Sequence, residues 1–443
     1  MNKTIYLLCF LLFSLSFKAQ ENAIELSLQE AIEYAFKNSY NTRIAENDIN
    51  SAKEKVWETT TIGLPQINGA VDYQNFLKQP ITVADINGDG INEEFVFGTK
   101  QNMNAAVTLR QLLFDGSYLV GLQASKTFLK ISEQAKEKTE YVTREAVINA
   151  YGNVLVSENS LSILQNNIKI LEKNYNDAKQ IFENGFNEEE DVEQLEITLS
   201  SLKNQLKNVE RMKDIAYQML NLSLGNPINT KLILTDSLDS LAEENINFAL
   251  TSEDFSVSNH IDYKIAENDR ETKRLMVKLE KSKNLPTLSA FVNYGTQAFS
   301  NEFTFFDSDQ RWFQSSLLGV SLNVPIFSSF GRKAKTAQAK IDLETSDLRL
   351  EETKQRLNLQ AEKAKSDYQF SIETYATSKK NLYLAERIEK KQRIKFFEGI
   401  SSSFDLLQAQ NQLYSQQQNY IQSMLDVIAK KAALENALNL PIK

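Results

Sequence analysis

The chain has 443 residues, of which 42% are hydrophobic and 24% charged, and its formal net charge at pH 7 is −9. This composition excludes a wholly disordered chain and a polytopic helical membrane protein, and the acidic balance is a poor fit to nucleic-acid binding. With only 14 Gly and 6 Pro among many Leu, Ala, Glu, Lys and Gln residues, the sequence favours long helices.

The first residues have the pattern of a secretory signal. A single Lys3 precedes an apolar stretch from Ile5 to Phe17, which is shorter than the roughly 20 residues of a membrane-spanning helix. We therefore predict a signal peptide over residues 1–20, with a buried N-terminal helix as the alternative. The only cysteine, Cys9, lies inside this segment, so the mature chain is predicted to have no disulfide and no thiolate metal site.

The next predicted element is a helix from Leu28 to Thr60, and it occurs twice in the chain. The letters IAEND, Leu-Pro and Val-x-Tyr of residues 44–74 recur in residues 265–295, always 221 positions later. The second copy predicts a helix from Ile261 to Lys283. In both copies the Leu-Pro pair ends the helix, because proline cannot continue it and biases its predecessor to extended geometry.

Two candidate strands follow the helix in each copy. Apolar residues alternate with polar or small ones, which is the period of a strand with two different faces. The last candidate strand of the second copy has Leu318, Val320, Leu322, Val324 and Ile326 on one face, and the first copy has Ala105, Val107, Leu109 and Leu113. A soluble antiparallel sheet has the same alternation. Four strands are too few to close a channel, and since no later apolar run reaches membrane-helix length, any membrane crossing is predicted to use strands.

The loop between the strands is eight residues longer in the first copy and contains DINGDGINEE. Three oxygen ligands and a glycine match positions 1, 3, 5 and 6 of a calcium loop, and a glutamate falls at position 9. The predicted ligands are Asp85, Asn87, Asp89 and Glu93. Position 12 is Val96 rather than a bidentate glutamate, and a turn held by aspartate and glycine is the alternative.

A long helical hairpin completes each copy. Residues 332–398 contain no internal Gly or Pro, and at ~1.5 Å per residue they would form a helix on the order of 100 Å long. Residues 119–184 match them at a shift of about 214, and Gly185 and Gly399 mark the two turns. The apolar stripe along these helices is dilute, which indicates shallow packing with one face in water, and a simple dimeric coiled coil is the alternative.

The duplication gives the domain boundaries. We predict a first repeat over residues 21–227, a linker over residues 228–259 and a second repeat over residues 260–443. The linker sequence KLILTDSLDSL is predicted to add a short strand. His260, the only histidine, lies at the junction without a nucleophile signature, and the chain has no P-loop, GxSxG, HExxH or CxxC motif, so we expect no enzyme.

These features together resemble the TolC-type outer membrane efflux factors. The resemblance covers essentially the whole mature chain, and its most specific motif is the tip. The matching segments are LSLQEAIEYAFKNS (residues 26–39), LPQI and LPTL, VPIFSSFGRKAKTAQAK (residues 324–340) and FFEGISSSFDLLQAQNQL (residues 396–413).

The resemblance implies a mainly α fold with a membrane β-barrel. Each chain of a homotrimer would give four strands to one 12-stranded barrel, and a long periplasmic α-helical barrel would continue it. The implied function is an exit duct of a tripartite efflux or type I secretion system in a Gram-negative outer membrane. The implied partners are outer membrane lipid, a periplasmic adaptor and an inner membrane pump of the RND or ABC type. A soluble or surface-associated coiled-coil interaction protein is the alternative.

The resemblance also places a periplasmic gate at the tips. Asp405 matches the first acidic position of the family's entrance ring, but the second is Gln408 here, and the family's tip arginine is Ser401. The first tip contributes Glu188, Glu189, Glu190 and Asp191, which would make the entrance negative and favour cations. The alternatives are an acidic turn that recruits a basic adaptor, and aspartates that only cap the following helices.

Overall fold

The computed structural model describes residues 23–441 except 86, 87, 89, 91 and 187, so the predicted signal peptide lies outside the described residues. The chain divides into two compact units. The sheet unit comprises residues 48–133 and 265–351, and the hairpin unit comprises the residues up to 47, 134–264 and 352 onward. Because both repeats contribute to both units, the units do not coincide with the repeats.

The predicted first helix is in fact two helices, α1 (Leu28–Asn38) and α2 (Tyr40–Thr61). Ser39 interrupts them with an extended backbone, at φ −60° and ψ 146°. Its hydroxyl accepts a hydrogen bond from the Thr42 backbone N–H at 3.3 Å, so a serine cap begins α2 where a single helix was expected. The corresponding helix of the second repeat, α6 (Ile261–Ser282), is continuous and matches its prediction to within one residue.

Four strands form the main antiparallel sheet, in the order β2–β5–β7–β8. They are β2 (Gln66–Asn75), β5 (Gln101–Phe114), β7 (Thr287–Ser300) and β8 (Trp312–Asn323). The prediction that β8 continues through Val324 and Ile326 was wrong, because Pro325 has no N–H to extend the ladder.

The longer loop of the first repeat folds as a small hairpin rather than an irregular loop. Its strands are β3 (Ile81–Ala84) and β4 (Glu93–Val96), and they pair antiparallel. The short lengths explain why the alternation did not reveal them, since four residues carry only two positions on each face.

The register aligns apolar side chains of all four strands on one face of the sheet. Ile67, Leu109, Val292 and Leu318 lie in one row across all four strands. In the next row, Asn293 donates through Nδ2 to Thr108 Oγ1 at 2.7 Å on the opposite face. The alternation predicted from the sequence is therefore confirmed for these rows, while Leu317 of β8 lies beside Asn293 on the second face.

Both outer edges of this sheet are open. Among the described residues, β2 pairs only with β5 and β8 pairs only with β7. All ten residues of β2 are exposed, and so are most of β8. The outward-pointing N–H and C=O groups of two strands are thus without a sheet partner in the part of the chain that the structure describes.

The long helices have the predicted positions. They pair as two hairpins, α3 (Gly116–Glu183) with α4 (Glu189–Leu224), and α7 (Gly331–Phe397) with α8 (Ser403–Ala437). No helix in the described part of the chain is long and apolar enough for a membrane crossing.

The linker packs into the core of the hairpin unit. It forms β6 (Leu232–Leu234), which pairs in parallel with β1 (Ile24–Leu26), and a short helix α5 (Leu238–Glu244). The fully buried Tyr151 holds this pair: its hydroxyl contacts Leu26 O and Asp236 Oδ2, each at 3.0 Å. The predicted linker strand is confirmed, while its partner strand 208 residues away was not foreseen.

Candidate functional site at the hairpin tips

Both hairpin tips are built on the same glycine turn. Gly185 and Gly399 have positive φ values of 78° and 72°, a left-handed conformation that other residues adopt at a cost. In the first tip, Phe186 N–H donates to Ile181 O at 3.1 Å, and in the second tip Ile400 N–H donates to Lys395 O at 2.8 Å. The backbone of the turn is therefore the same in the two repeats.

The second tip begins its next helix with a complete capping box. Ser402 Oγ accepts from Asp405 N–H at 3.3 Å, and the Asp405 carboxylate accepts from Ser402 Oγ at 2.9 Å and from Ser402 N–H at 3.3 Å. The capping role weighed for Asp405 is thus present. Its side chain and that of Gln408 are nevertheless exposed, so the predicted gate role of both residues stays a prediction.

The first tip has more charge and no such cap. Glu188 precedes α4 with an extended backbone, and its side chain makes no capping hydrogen bond. Three acidic residues, Glu189, Glu190 and Asp191, follow in the first turn, where the positive end of the helix dipole favours them. Glu188, Glu189 and Glu190 are exposed and Asp191 is half-buried, so the tip presents a dense group of carboxylates.

The two tips share one core and one polar link. Leu195 from α4 and Leu406 from α8 are both fully buried in a single apolar cluster that also contains Phe396 of the second tip. Above this cluster, Ser403 Oγ donates to Gln194 Oε1 at 3.3 Å, and Gln194 Nε2 donates to Glu190 Oε1 at 3.0 Å. The predicted tip residues of both repeats therefore come together at one end of the hairpin unit.

Glu389 is a charged residue near this end that the sequence did not reveal. It lies on α7 with only 6% of its surface exposed, 3.8 Å from the Arg393 guanidinium. Burial raises the pKa of its carboxyl, and Arg393 and the Gln410 amide offset part of that effect. Glutamate is common along these polar helices, so no sequence signal separates this one from its exposed neighbours.

His260 lies at the start of α6 and caps this helix. Its Nδ1 accepts from Asp262 N–H at 3.1 Å, and burial lowers its pKa. Among the residues that the structure describes, no three His, Cys, Asp or Glu side chains are grouped as a metal site.

The predicted calcium loop is described only in part. Both oxygens of Asp85 accept backbone hydrogen bonds, from Gly88 at 2.7 Å and from Gly90 at 2.8 Å, as in the alternative turn. Glu93 lies at the start of β4, whereas Asn87 and Asp89 are outside the described residues. Calcium binding at this loop stays a prediction.

The structure is a duplicated helix–strand–hairpin chain with an open sheet and acidic hairpin tips. Comparison with known proteins agrees. The family model described as outer membrane efflux protein matches residues 31–226 and 257–440. The chain therefore belongs to the outer membrane efflux protein family.

Named relatives are distant in sequence but cover nearly the whole chain. One is a Pseudomonas putida protein described as a probable efflux pump outer membrane protein, TtgC, with 23% identity over 93% of this chain and 82% of the relative. The solved structure of CusC matches with a TM-score of 0.74 at 16% identity, covering 96% of this chain and 95% of that one. The structure of the Campylobacter jejuni CmeC outer membrane channel matches with a TM-score of 0.73 at 15% identity. The match covers 96% of this chain and 90% of that one.

The family and these neighbours establish the main predictions. The chain has the TolC-like fold with two tandem repeats, and it is an outer membrane exit duct for tripartite efflux. It acts in the Gram-negative outer membrane, with its helical part in the periplasm. The coiled-coil interaction protein considered as the alternative is set aside.

Proposed function

We propose that three copies of this chain form one channel, in which the sheets join edge to edge. The open sheet is the observation that supports this, because the membrane interior offers no water to the unpaired groups of β2 and β8. Neighbouring strands in the four-strand order are antiparallel, so β2 and β8 run in opposite directions. The β8 strand of one chain then continues antiparallel into β2 of the next, and three chains supply twelve strands.

The two faces of the sheet fit this arrangement. The row of Ile67, Leu109, Val292 and Leu318 would face lipid, and the side that has Thr108 and Asn293 would face a water-filled lumen. In the periplasm, the hairpins of the three chains would continue the duct. The dilute apolar stripe on the helices supports this, since helices around a water-filled tube keep one face wet.

The hairpin tips are the proposed entrance and docking point. We propose that they meet a periplasmic adaptor, which connects the duct to an inner membrane pump of the RND or ABC type. The relative from Pseudomonas putida is described as part of an efflux pump, which supports the efflux assembly over type I secretion. We also propose that the chain has no catalytic activity of its own, as expected of a duct.

At the entrance, the acidic residues of both tips would select for cations. Each chain brings the exposed Glu188, Glu189, Glu190 and Asp405 to the tips, and a trimer would triple this charge. Negative potential focused at a narrow entrance raises the local concentration of cations and lowers that of anions.

Single-channel recording in planar bilayers tests the duct and the entrance together. The full-length mature protein is expected to form pores that prefer cations, and Asp405→Asn is expected to reduce that preference. The asparagine amide keeps an oxygen for the Ser402 N–H, so this change removes the charge while retaining most of the cap. Asp342→Asn, which removes an exposed carboxylate of α7 far along the chain from the tips, is the matched control.

The outcomes separate the two parts of the proposal. If the protein forms no pores in any bilayer, the channel assembly is wrong. If pores form but Asp405→Asn and Asp342→Asn leave the same ion preference as the unmodified chain, the duct stands and the selective role of Asp405 is excluded.

A further inference from the structure

The corner between β8 and α7 exposes a group of large apolar side chains. Ile326 is 90% exposed, Phe327 73% and Phe330 71%. The two phenylalanine rings contact each other edge to face, with centroids 5.9 Å apart. The apolar group directly follows β8, whose Leu318, Val320 and Leu322 are also exposed on the apolar face of the sheet, so the two surfaces are continuous along the chain.

The backbone of this corner is held in an unfavourable conformation. Ser329 and Phe330 have φ values of 48° and 64°, two successive left-handed residues that are not glycine. Such strain persists where the surroundings or a function require it. Phe330 stays 71% exposed in this conformation, so the strain gains little burial inside the subunit.

Positive charge follows within the first helical turns. Arg332, Lys333 and Lys335 begin α7, and residues 310–341 contain no Asp or Glu. Arg332 donates to Pro325 O at 3.1 Å, whereas Lys333 and Lys335 are exposed and have no ion pair among the described residues. Cations at a helix N-terminus oppose the helix dipole, so this charge does not serve the stability of α7.

The equivalent corner of the first repeat exposes Leu113 and Phe114, at 53% and 40%, but it has neither the backbone strain nor the basic residues at the helix start. Asp115 links β5 to α3 and caps the helix in the ordinary way, since its Oδ1 accepts from Ser117 N–H at 2.6 Å and from Tyr118 N–H at 3.2 Å. The first charged residue of α3 is Lys126, far from the corner. The strain and the basic residues are therefore not needed to turn a strand into a helix in this fold.

We propose that the second corner, residues 324–335, binds anionic phospholipid at the border of the membrane. Ile326, Phe327 and Phe330 insert at the boundary of headgroups and acyl chains, and Lys333 and Lys335 bind lipid phosphate. Apolar side chains beside unpaired cations match the two parts of such a lipid, and no free anion would use the aromatic part. This proposal rests on the channel assembly proposed above, which places the end of β8 at the membrane border.

A fluorescence experiment on the assembled protein tests the contact. Phe330→Trp is reconstituted into phosphatidylcholine vesicles with and without brominated phosphatidylglycerol, and quenching is measured above the background from the native Trp57 and Trp312. The expected result is strong quenching by the brominated anionic lipid. Lys333→Gln with Lys335→Gln, added to this variant, is expected to weaken the apparent affinity for that lipid on the order of tenfold. Lys126→Gln with Lys130→Gln, two exposed lysines of α3, is the matched control and should leave it unchanged.

A second variant distinguishes lipid from protein as the occupant. Phe330→Gly relieves the left-handed strain, so we expect the trimer to keep or gain thermal stability while lipid-dependent stabilisation is lost. Quenching that is unchanged by Lys333→Gln with Lys335→Gln would overturn the proposal. Equal quenching in vesicles that contain brominated phosphatidylcholine in place of brominated phosphatidylglycerol would also overturn it. The other outcome is that the indole of Phe330→Trp is not quenched and that Phe330→Gly weakens the trimer. This result would assign the corner to a contact with a second copy of the chain, and it would also overturn the lipid proposal. Pore formation is recorded on the same samples. Absence of pores would contradict the proposed channel, whereas pores without quenching would contradict only the lipid contact.

Discussion

The two hairpin tips have the same turn and different chemistry. Gly185 and Gly399 place both turns in the same left-handed geometry, yet one tip continues into four acidic residues and the other into a serine-aspartate capping box. The shared part is what the backbone needs in order to reverse. Glu188, Glu189, Glu190 and Asp405 are exposed, so core packing does not dictate these side chains, and one tip has more charge while the other has a capped helix start.

The largest expected effect concerns the shared part of the tips. Gly185→Ala and Gly399→Ala should each destabilise the hairpin unit by about 1–2 kcal/mol, because a Cβ is unfavourable at positive φ. A Cβ at either glycine meets no other atom within 4 Å, so the two losses should be equal. Denaturant unfolding of both variants measures them. A loss at one tip only would show that the turns are not equivalent. Gly69→Ala, at an open position with ordinary φ in the sheet unit, is the control.

A smaller effect should separate the two tips. Ser402→Ala removes the capping box of α8 and should cost about 1 kcal/mol, whereas Glu188→Ala removes a side chain that makes no capping bond and should cost little. The same unfolding measurement compares them, with Ser402→Thr retaining a capping hydroxyl. Equal losses for the two alanine variants would mean that the cap seen in the second tip does not stabilise it.

The smallest expected effect concerns the pH dependence of stability at Glu389, which lies on α7 before the second tip. Its counterpart in the first repeat is Tyr175. Burial raises the pKa of Glu389 above that in the unfolded chain, so its neutral form favours folding. This contribution is full below the unfolded pKa and is lost as pH rises through the higher folded pKa. Glu389→Gln should therefore flatten the dependence of thermal stability on pH above the ordinary glutamate value of 4.5.

The difference between the two proteins across pH is the informative measurement, because the many other carboxylates titrate in both. Identical pH profiles for Glu389→Gln and the unmodified chain would mean that Glu389 is not buried in the folded protein. Glu193→Gln, a change at an exposed glutamate of α4, is the matched control and should leave the profile unaltered.

Local patterns predicted much of the fold. The α6 helix and both long hairpins follow from helix-forming residues bounded by Pro and Gly, and the sheet follows from period-two alternation. What the sequence did not predict depends on partners far along the chain. β1 is three residues long and forms only because β6 and Tyr151 lie beside it. The break at Ser39 had a local signal in its serine, which the surrounding helical pattern outweighed.

The tips show the same limit. The sequence predicted their glycine turns, acidic residues and candidate caps, and the structure shows the capping box of Asp405. The sequence did not predict that Gln194 contacts Ser403 or that Glu389 is buried. Both depend on which faces of α4, α7 and α8 pack together. Periodicity indicates that a helix has a buried side, but it does not identify the side chain on the opposite helix.

The open edges of the sheet also have a consequence for the chain before the proposed trimer forms. A folded subunit with two unpaired strands and exposed apolar rows is a template for any other extended segment, including another copy in the wrong register. Such a chain is prone to aggregate in proportion to the time it spends folded but unassembled. Its yield in cells should therefore depend on how quickly the proposed trimer forms and pairs these edges.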